Sequence, residues 1–577
     1  MPVPSHAPAG APTPLSGPGR HVAVVLVFLA LTIAFTWPLP VRLTTHVLDT
    51  GTDPELLLWA LGWNAHAFFT QPLSIFDANI FYPSHYALAY SENMIGSSLL
   101  FAPIIWLTGD LVFTMNLVQL SSVCLSAIGA YLLARRLGLS VAAAILAGLV
   151  FGFAPARFFR IAQAHLTTIQ WMPFCLAYLH TYLGRSGRPR DLRLAVLFYV
   201  AQVLASGHGA VFLTVAVFAC LAYRVVLGEP IQPIRRLRDL GITGALILLP
   251  AVLILLPYRA ARAEVPALAR ELDDYGSSLS SYVSSPTPVH QWLLGTLPAW
   301  VTASPPDAYL FIGVLPIVLA LIALVTWRPA VASSASRAEK LAAWRTAPVP
   351  FYGLLAALAF WFTLGPPIGL WRWTYALPVF SFLRVPSRFV LLEVLAVAIL
   401  AGFGFQWVSR AMRPAARGLM AAGLGLLLVV EFMPGSMDLA PFAIAPSSAD
   451  RWLNGRPKPF VVAEIPIPDS LDVVTQSRRN TLYMLHSTAH WQKIVHGFSG
   501  AEPQHYTELH PKLVRFPDEE SLNALVDLGV TYIVFHPDLY PAPGERADAE
   551  ARFAQYHDWL RVEYIGTDSR VYSLHRP

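Results

Sequence analysis

From residue 21 to residue 434 the chain alternates apolar blocks with short polar connections, and the length of those blocks sets the first expectation. A helix needs about 20 apolar residues to cross the bilayer core. The blocks predict eleven such helices, near 21–39, 112–134, 140–156, 166–183, 194–208, 209–227, 240–257, 308–327, 349–366, 389–409 and 416–434. Basic residues gather in every second connection: Arg135 and Arg136; Arg185, Arg188, Arg190 and Arg193; Arg235, Arg236 and Arg238; Arg328, Arg337, Lys340 and Arg345; Arg410, Arg413 and Arg417. A positive-inside bias places all of these, and the N-terminus, on the cytoplasmic side. Ser206-Gly207-His208-Gly209 leaves almost no loop between 194–208 and 209–227, and the parity of the count holds only if both members span.

Three segments on the opposite side are too long to be simple connections. The first, 40–111, holds Arg42 but no lysine, and carries Asp49, Asp53, Glu55, Asp77, Glu92 and Asp110. Within it Glu55 to Phe69, with Trp59, Trp63 and Phe68, reads as a short helix lying along the membrane interface. A second apolar stretch, 94–107, reads as another such helix or a re-entrant segment. The second long segment is 258–307. The third, from about 435 to 577, changes character: Phe460-Val-Val-Ala-Glu-Ile-Pro and Thr531-Tyr-Ile-Val-Phe-His predict strands. Glu519 to Leu528 predicts a helix closed by Gly529, and Val562-Glu-Tyr-Ile and Arg570-Val-Tyr-Ser-Leu complete a small α/β unit.

The expected fold is thus a polytopic α-helical membrane protein of about eleven transmembrane helices with a small C-terminal α/β extracytoplasmic domain. Its expected divisions are a disordered cytoplasmic tail over 1–20, a transmembrane domain over 21–434 with outer loops 40–111 and 258–307, and the α/β domain over 435–577. The first apolar stretch is too long for a signal-peptide core and lacks a clear cleavage site, so it is expected to stay as the first helix. Composition agrees: 55% of the 577 residues are hydrophobic and 13% charged, against about 25% charged in soluble domains. A pI of about 9.0 does not indicate nucleic acid, because the arginines fall between apolar spans, where topology puts them. Cys124, Cys175 and Cys220 all lie in apolar spans, which leaves no disulfide framework.

Candidate chemistry gathers on the outer side. In Asp53-Pro54-Glu55, Asp53 reads as an N-cap with proline at the first helical position; it is equally a carboxylate at the bilayer surface, able to take a proton from an attacking hydroxyl. Arg384 and Arg388, in Phe382-Leu-Arg-Val-Pro-Ser-Arg-Phe389, sit at the mouth of a helix beginning near Pro386. Cations there oppose the macrodipole and the positive-inside bias; a bound anion resolves both, since helix-start N–H groups and guanidinium forks suit phosphate. Arg157 and Arg160, with His165 just beyond, and Arg259 and Arg262 repeat the pattern. For each pair the plain alternative is snorkelling to lipid headgroups, and for His165 an interfacial hydrogen bond. Glu92 and Asn93 read as a cap for 94–107, as a second carboxylate, or as half of a divalent-cation site with Asp53. His486, His490 and His496 match no standard zinc spacing.

At these residues the sequence resembles the bacterial GT-C class of membrane glycosyltransferases, which transfer sugar from a polyprenyl-phosphate carrier on the outer membrane face. The resemblance covers most of the chain. It rests on the acidic first outer loop, Phe81-Tyr-Pro within it, the Arg-His region 157–171, Leu364-Gly-Pro, Arg-Val-Pro-Ser-Arg and the outer C-terminal domain. It implies a multi-pass protein of the bacterial inner (plasma) membrane. Asp53 would be the catalytic carboxylate, with Asp49 the runner-up, because Pro54 splits the adjacent acidic pair often seen in the class. Arg384, Arg388 and Arg160 would bind the lipid phosphate, and Glu92, His165 and Glu55 would line the pocket. Implied partners are a polyprenyl-phosphate sugar donor, a glycan, lipid or protein acceptor, and membrane lipid, without nucleic acid. No cofactor is fixed, although a divalent cation fits. The expected chemistry is inversion at the anomeric carbon, with Glu271, Asp273 and Asp274 of the 258–307 loop covering the site or receiving the acceptor. Two other readings remain: a transporter or flippase of a lipid-linked saccharide, for which Glu393 and Gln202 are the main intramembrane polar candidates, and a non-catalytic assembly protein for envelope polysaccharide.

Overall fold

The apolar blocks fold as helices because their backbone groups are satisfied within the segment, as a lipid environment requires. The computed structural model describes residues 18–49, 51–184, 187–228, 233–265, 277–298, 309–329, 331, 336–365, 368–374, 385–435, 437–469 and 472–577. Among these, six helices are long and apolar enough to cross a membrane: Leu111–Arg136, Val141–Phe158, Gly207–Val226, Arg238–Glu264, Pro386–Val408 and Pro414–Phe432. A seventh arises if Arg337–Thr346 and Pro348–Thr363, bent by 63° at their junction, form one span. Eleven spans were expected, and the shortfall lies in blocks that fold as shorter helices. Trp171–Leu183 and Val314–Thr326 have 13 residues each, about 20 Å at 1.5 Å per residue. Pro189–Ala205 has 17, and Ser206 alone separates it from the Gly207–Val226 helix, its Oγ accepting from Gly209 N–H (3.0 Å).

Two compact units divide the chain, and they cut across the sequence-based domains. One comprises Met1–Val41, Leu117–Pro250 and Arg270–Asp438; the other comprises Arg42–Asn116, Ala251–Ala269 and Leu439–Pro577. At the centre of the first lies the Val390–Val408 helix, almost wholly buried. It accepts close neighbours because Gly402 and Gly404 carry no side chain. A Cβ on Gly404 would lie 1.9 Å from Leu319 O, and one on Gly402 3.1 Å from Ala143 O. Small residues at helix crossings are the usual means of such approach in membranes. Glu431 closes the start of the Val314–Thr326 helix. Its carboxylate accepts from the Val314 amide and is hydrogen-bonded to His290 Nε2 (3.0 Å), a favourable place for negative charge.

In the second unit the last 139 residues build a five-stranded sheet: β1 Val461–Ile465, β2 Lys493–Ile494, β3 Tyr532–Phe535, β4 Leu560–Ile565 and β5 Arg570–Leu574. The order is β2-β1-β3-β5-β4. β1 runs parallel to β2 and β3, while β5 is antiparallel to both β3 and β4. Helices Gln504–Leu513, Glu519–Asp527 and Pro543–Gln555 cover it, burying Leu509, Leu522, Leu525 and Phe553 with Ile533 and Phe535. Gly529 has φ +77 after the Glu519–Asp527 helix, the left-handed turn expected of it.

The first long loop completes this unit. Residues 79–82 lie along the β2 edge: Ile494 N–H donates to Asn79 O (2.7 Å), Tyr82 N–H to Ile494 O (3.0 Å) and Phe81 N–H to His496 O (3.0 Å). An unpaired sheet edge is thereby covered. Gly497 lets the Phe81 ring close on the chain, since a Cβ there would meet that ring at 2.7 Å. The Thr52–Thr70 helix, expected to lie along the membrane interface, turns Trp59 and Trp63 into protein. Trp59 and Trp63 are buried; Trp59 Nε1 donates to Asn79 Oδ1 (3.2 Å), Trp63 Nε1 donates to Ile75 O (2.8 Å), and Trp63 packs on Trp491. The open apolar face belongs instead to Ile95–Thr108, where Leu99, Leu100 and Leu107 are exposed.

Candidate functional site

In the second unit the Thr52–Thr70 helix presents the acidic residues. Asp53 is not its N-cap. Gly51 holds that position, with no side-chain cap, so Thr52 is the first helical residue and Pro54 the third. The expected register was two residues late because Asp49, not Asp53, organises the turn: its Oδ1 accepts from Gly51 N–H (3.1 Å). Asp53 stands in the first turn, where the macrodipole favours a carboxylate. Asp49 and Asp53 are both exposed. Glu55 differs. It is half-buried, accepts from Thr481 Oγ1 (2.5 Å), and burial raises its carboxyl above the usual range despite that bond and the charge of Arg478.

Glu92 lies about forty residues further along the same unit and is buried. The N-cap of the Ile95–Thr108 helix is Met94, without a side-chain cap, so neither Glu92 nor Asn93 holds the expected cap position; Asn93 accepts from Ile95 N–H (2.9 Å) from just before it. Asn93 Nδ2 also donates to Tyr258 Oη (3.0 Å), and Tyr258 Oη donates to Ser91 O (2.9 Å). Tyr90 donates to Glu264, and burial with that carboxylate pushes its phenol up. Asp49, Asp53 and Glu55 therefore share one helix start, and the residues flanking Glu92 are bonded to the Pro257–Glu264 helix. Arg259 and Arg262, on that same helix, are exposed.

In the first unit the backbone between Phe153 and Trp171 is broken into Pro155–Phe158 and Ala164–Thr167. Its free polar groups are taken up by one face of the Leu111–Arg136 helix. Gln119 Nε2 donates to Ala162 O (3.0 Å) and Ser122 Oγ to Thr167 O (2.6 Å). Arg157 is buried in the same seam, donating to Gly152 O (2.6 Å), Ser126 Oγ (2.9 Å) and Thr167 O (3.2 Å). Arg157 is thus a structural clamp and is not snorkelling. Arg160 is also buried, donates to Gln163 Oε1 (3.2 Å) and stacks over Phe159.

A histidine that the sequence offered only as loop ties the remaining residues together. Arg388, half-buried at the start of the Val390–Val408 helix, is hydrogen-bonded to His208 Nε2 (2.7 Å). The rings of His208 and His165 are 5.3 Å apart, and His165 O accepts from Ser206 Oγ (2.5 Å). Arg388, His208 and His165 form one largely buried corner, whose imidazoles can take or hand on a proton and whose guanidinium can hold an anionic oxygen. The only local signal for His208 was its place in Ser206-Gly207-His208-Gly209, between two helices with no room for a loop. Arg384 lies outside the described residues, as do Glu271, Asp273 and Asp274.

The intramembrane polar residues that a transporter would use have structural partners. Glu393 accepts from Tyr282 Oη (2.6 Å), and Gln202 Nε2 donates to Thr168 O (2.8 Å).

No protein-family model matches the sequence, and no curated protein matches it. Solved structures do. The arabinofuranosyltransferase AftD from Mycobacteria superposes on 97% of this chain with a TM-score of 0.56 at 14% identity. The match spans 40% of AftD, so the chain corresponds to two fifths of that protein. The oligosaccharyltransferase AglB from Archaeoglobus fulgidus, solved with an inhibitory peptide and a dolichol-phosphate, covers 96% of this chain and 74% of its own, at 11% identity and TM-score 0.44. ArnT from Cupriavidus metallidurans covers 96% and 97%, at 14% identity and TM-score 0.38. These neighbours are GT-C glycosyltransferases, and the likeness to AftD establishes a shared fold.

Proposed function

We propose that this chain, folded as a GT-C glycosyltransferase, transfers a sugar from a polyprenyl-phosphate donor to an envelope glycan, lipid or protein acceptor. The reaction takes place on the outer face of the bacterial inner membrane, with the N-terminus cytoplasmic and the 435–577 domain extracytoplasmic. The observation that carries the reading is the exposed acidic helix start at Asp49 and Asp53, built into the same compact unit as the C-terminal α/β domain. A carboxylate fixed on a helix beside folded protein is placed to meet an acceptor in water.

Asp53 is the base in this reading, with Asp49 as its alternative. It takes the proton of the acceptor hydroxyl as the oxygen attacks the anomeric carbon and the lipid phosphate departs with the electron pair of the broken C–O bond. Arg388 and Arg160, together with Arg384, hold the departing phosphate. Guanidinium groups aimed at developing charge in a water-poor site are worth far more than in bulk solvent. A phosphate so held is a good leaving group, so one carboxylate suffices where hydrolytic glycosidases need two. His165 lines the pocket and His208 orients Arg388.

The test is to incubate purified protein with a panel of polyprenyl-phosphate sugars and an acceptor extract, following donor consumption and carrier-lipid binding. Consumption of one donor, with binding weakened in Arg388→Ala and Arg384→Ala, is the expected result. Binding that is unchanged in both variants removes the arginines from the phosphate role. No consumption of any donor, alongside intact binding, favours the non-catalytic assembly protein.

A further inference from the structure

Five ionisable side chains converge beneath the sheet of the α/β domain, well away from the acidic helix start in sequence and unused by the proposed reaction. Glu464 leaves β1 and His536 follows β3; Glu464 lies opposite Val534 on the parallel neighbour, so His536, two residues on, shares its face of the sheet. His536 Nε2 is hydrogen-bonded to Glu464 Oε2 at 2.8 Å. His486 closes the group from the end of the Val473–His486 helix. One ligand atom from each of these three residues lies within 4.8 Å of the other two, and all three residues are buried. Behind them Asp450 lies 3.5 Å from His486 Nδ1 and 3.6 Å from His490 Nε2.

Hydrogen bonding alone leaves this cluster poorly satisfied. Asp450 Oδ1, His486 Nδ1 and His490 Nε2 are buried with only the long Asp450–histidine contacts of 3.5 and 3.6 Å, and Glu464 Oε1 is buried without a hydrogen-bond partner. Buried polar atoms normally have one, and a group of exceptions in one place calls for a reason, of which an ion is one. No lysine or arginine reaches these carboxylates in an ion pair among the described residues; their salt-bridge partners are histidines. We propose that Glu464, His486 and His536 bind a divalent transition-metal ion, zinc by the nature of the donors, which fastens β1 and β3 to the Val473–His486 helix.

Two imidazoles and one carboxylate are a known zinc set, with bonds of about 2.0–2.2 Å. Such bonds put tetrahedral donors about 3.4 Å apart, so the 2.8 Å contact of Glu464 with His536 opens by about 0.6 Å and the wider separations, all within 4.8 Å, close by a small turn. Imidazole donors disfavour magnesium and calcium, which take oxygen ligands. Asp450 stands where a carboxylate commonly orients a metal-bound imidazole, and is itself held by Ser447, whose N–H and Oγ donate to Oδ2 at 2.9 and 2.6 Å. The sequence hid this site because its ligands come from three distant stretches, and the visible run His486, His490 and His496 contributes only one of them.

The test uses the full chain, purified in detergent, stripped with chelator, loaded with excess zinc chloride and desalted. Metal is counted by mass spectrometry, and cobalt chloride replaces zinc for visible absorption. The expected result is one zinc ion retained per wild-type chain, at least a tenfold loss of retention in Glu464→Gln and His536→Ala, and full retention in a control at the exposed His557, His557→Ala. Should both variants fail to elute as a single species, the wild-type cobalt spectrum decides: intense ligand-field bands uphold the site, and the spectrum of hexaaquo cobalt overturns it. A wild-type chain that holds no zinc, or a folded Glu464→Gln that holds as much as wild type, also overturns it. None of these readouts depends on glycosyl transfer.

Discussion

Arg157 shows how far a single residue can be read from sequence. Its position at a helix end was legible, but its task was not, because its three acceptors come from residues 126, 152 and 167. All three are neutral groups that only the folded backbone brings together. Arg157→Ala removes a charged donor from all three, with Ser122 still donating to Thr167 O, and a hydrogen bond to a charged group contributes about 1.5–3 kcal/mol. The variant should therefore melt lower in a detergent thermal-shift assay and lose yield of monodisperse protein; unchanged melting would refute the clamp. Glu55 gives a prediction of opposite sign. Burial raises its folded pKa, so the protonated form is favoured: its contribution is fully present below the unfolded value of about 4.5 and is lost as pH rises through the raised value. Glu55→Gln keeps an acceptor for Thr481 and removes the titration. It should stabilise the unit at neutral pH and change little at pH 4, measured by hydrogen exchange of the Thr52–Thr70 helix; a variant less stable at neutral pH would contradict this.

At the scale of elements, the pattern of apolar residues located most helices but not their lengths or faces. The β1, β3, β4 and β5 strands could be seen because each is a run rich in β-branched and aromatic residues. β2 could not, being two residues long and paired through backbone groups supplied by residues 79–82. The helix start at Gly51 was misplaced by two residues because Asp49 acts from outside the helix, its side chain accepting from Gly51 N–H, and Asp53-Pro54 drew the cap to itself. Trp59 and Trp63 looked interfacial and are core, since only a tertiary partner at Trp491 decides between the two. Glycines in the membrane helices separate in the same way. Gly404→Leu forces a side chain against Leu319 O and should destabilise by about 1–3 kcal/mol, as overpacking does, whereas Gly423→Ala, which meets nothing within 4 Å, should be tolerated. Comparable thermal shifts for the two would show that the Val390–Val408 and Val314–Thr326 helices are not closely packed.

For the whole molecule, the consequential finding is that residues 42–116 and 439–577 build one compact unit, joined by Asp77 with Lys493 (2.5 Å) and Asn79 Nδ2 donating to Ser487 Oγ (2.9 Å). Segments so bonded lie on the same side of a membrane. Single cysteines replacing Asp53 and Glu519 should thus react together with an impermeant maleimide on intact cells, whereas one replacing Arg413 should react only after permeabilisation; the reverse pattern would invert the topology. Charge distribution had indicated that arrangement, but no sequence pattern could show that the first loop covers a sheet edge more than four hundred residues away. The central claim is that a carboxylate of this loop acts on the acceptor. The most direct measurement compares turnover of the consumed polyprenyl-phosphate sugar by wild type, Asp53→Asn and Asp49→Asn, all eluting as one folded species. A loss of at least about 100-fold in Asp53→Asn, the usual contribution of a general base, is the predicted result, with Asp49→Asn much less affected. Wild-type turnover by both variants would contradict it.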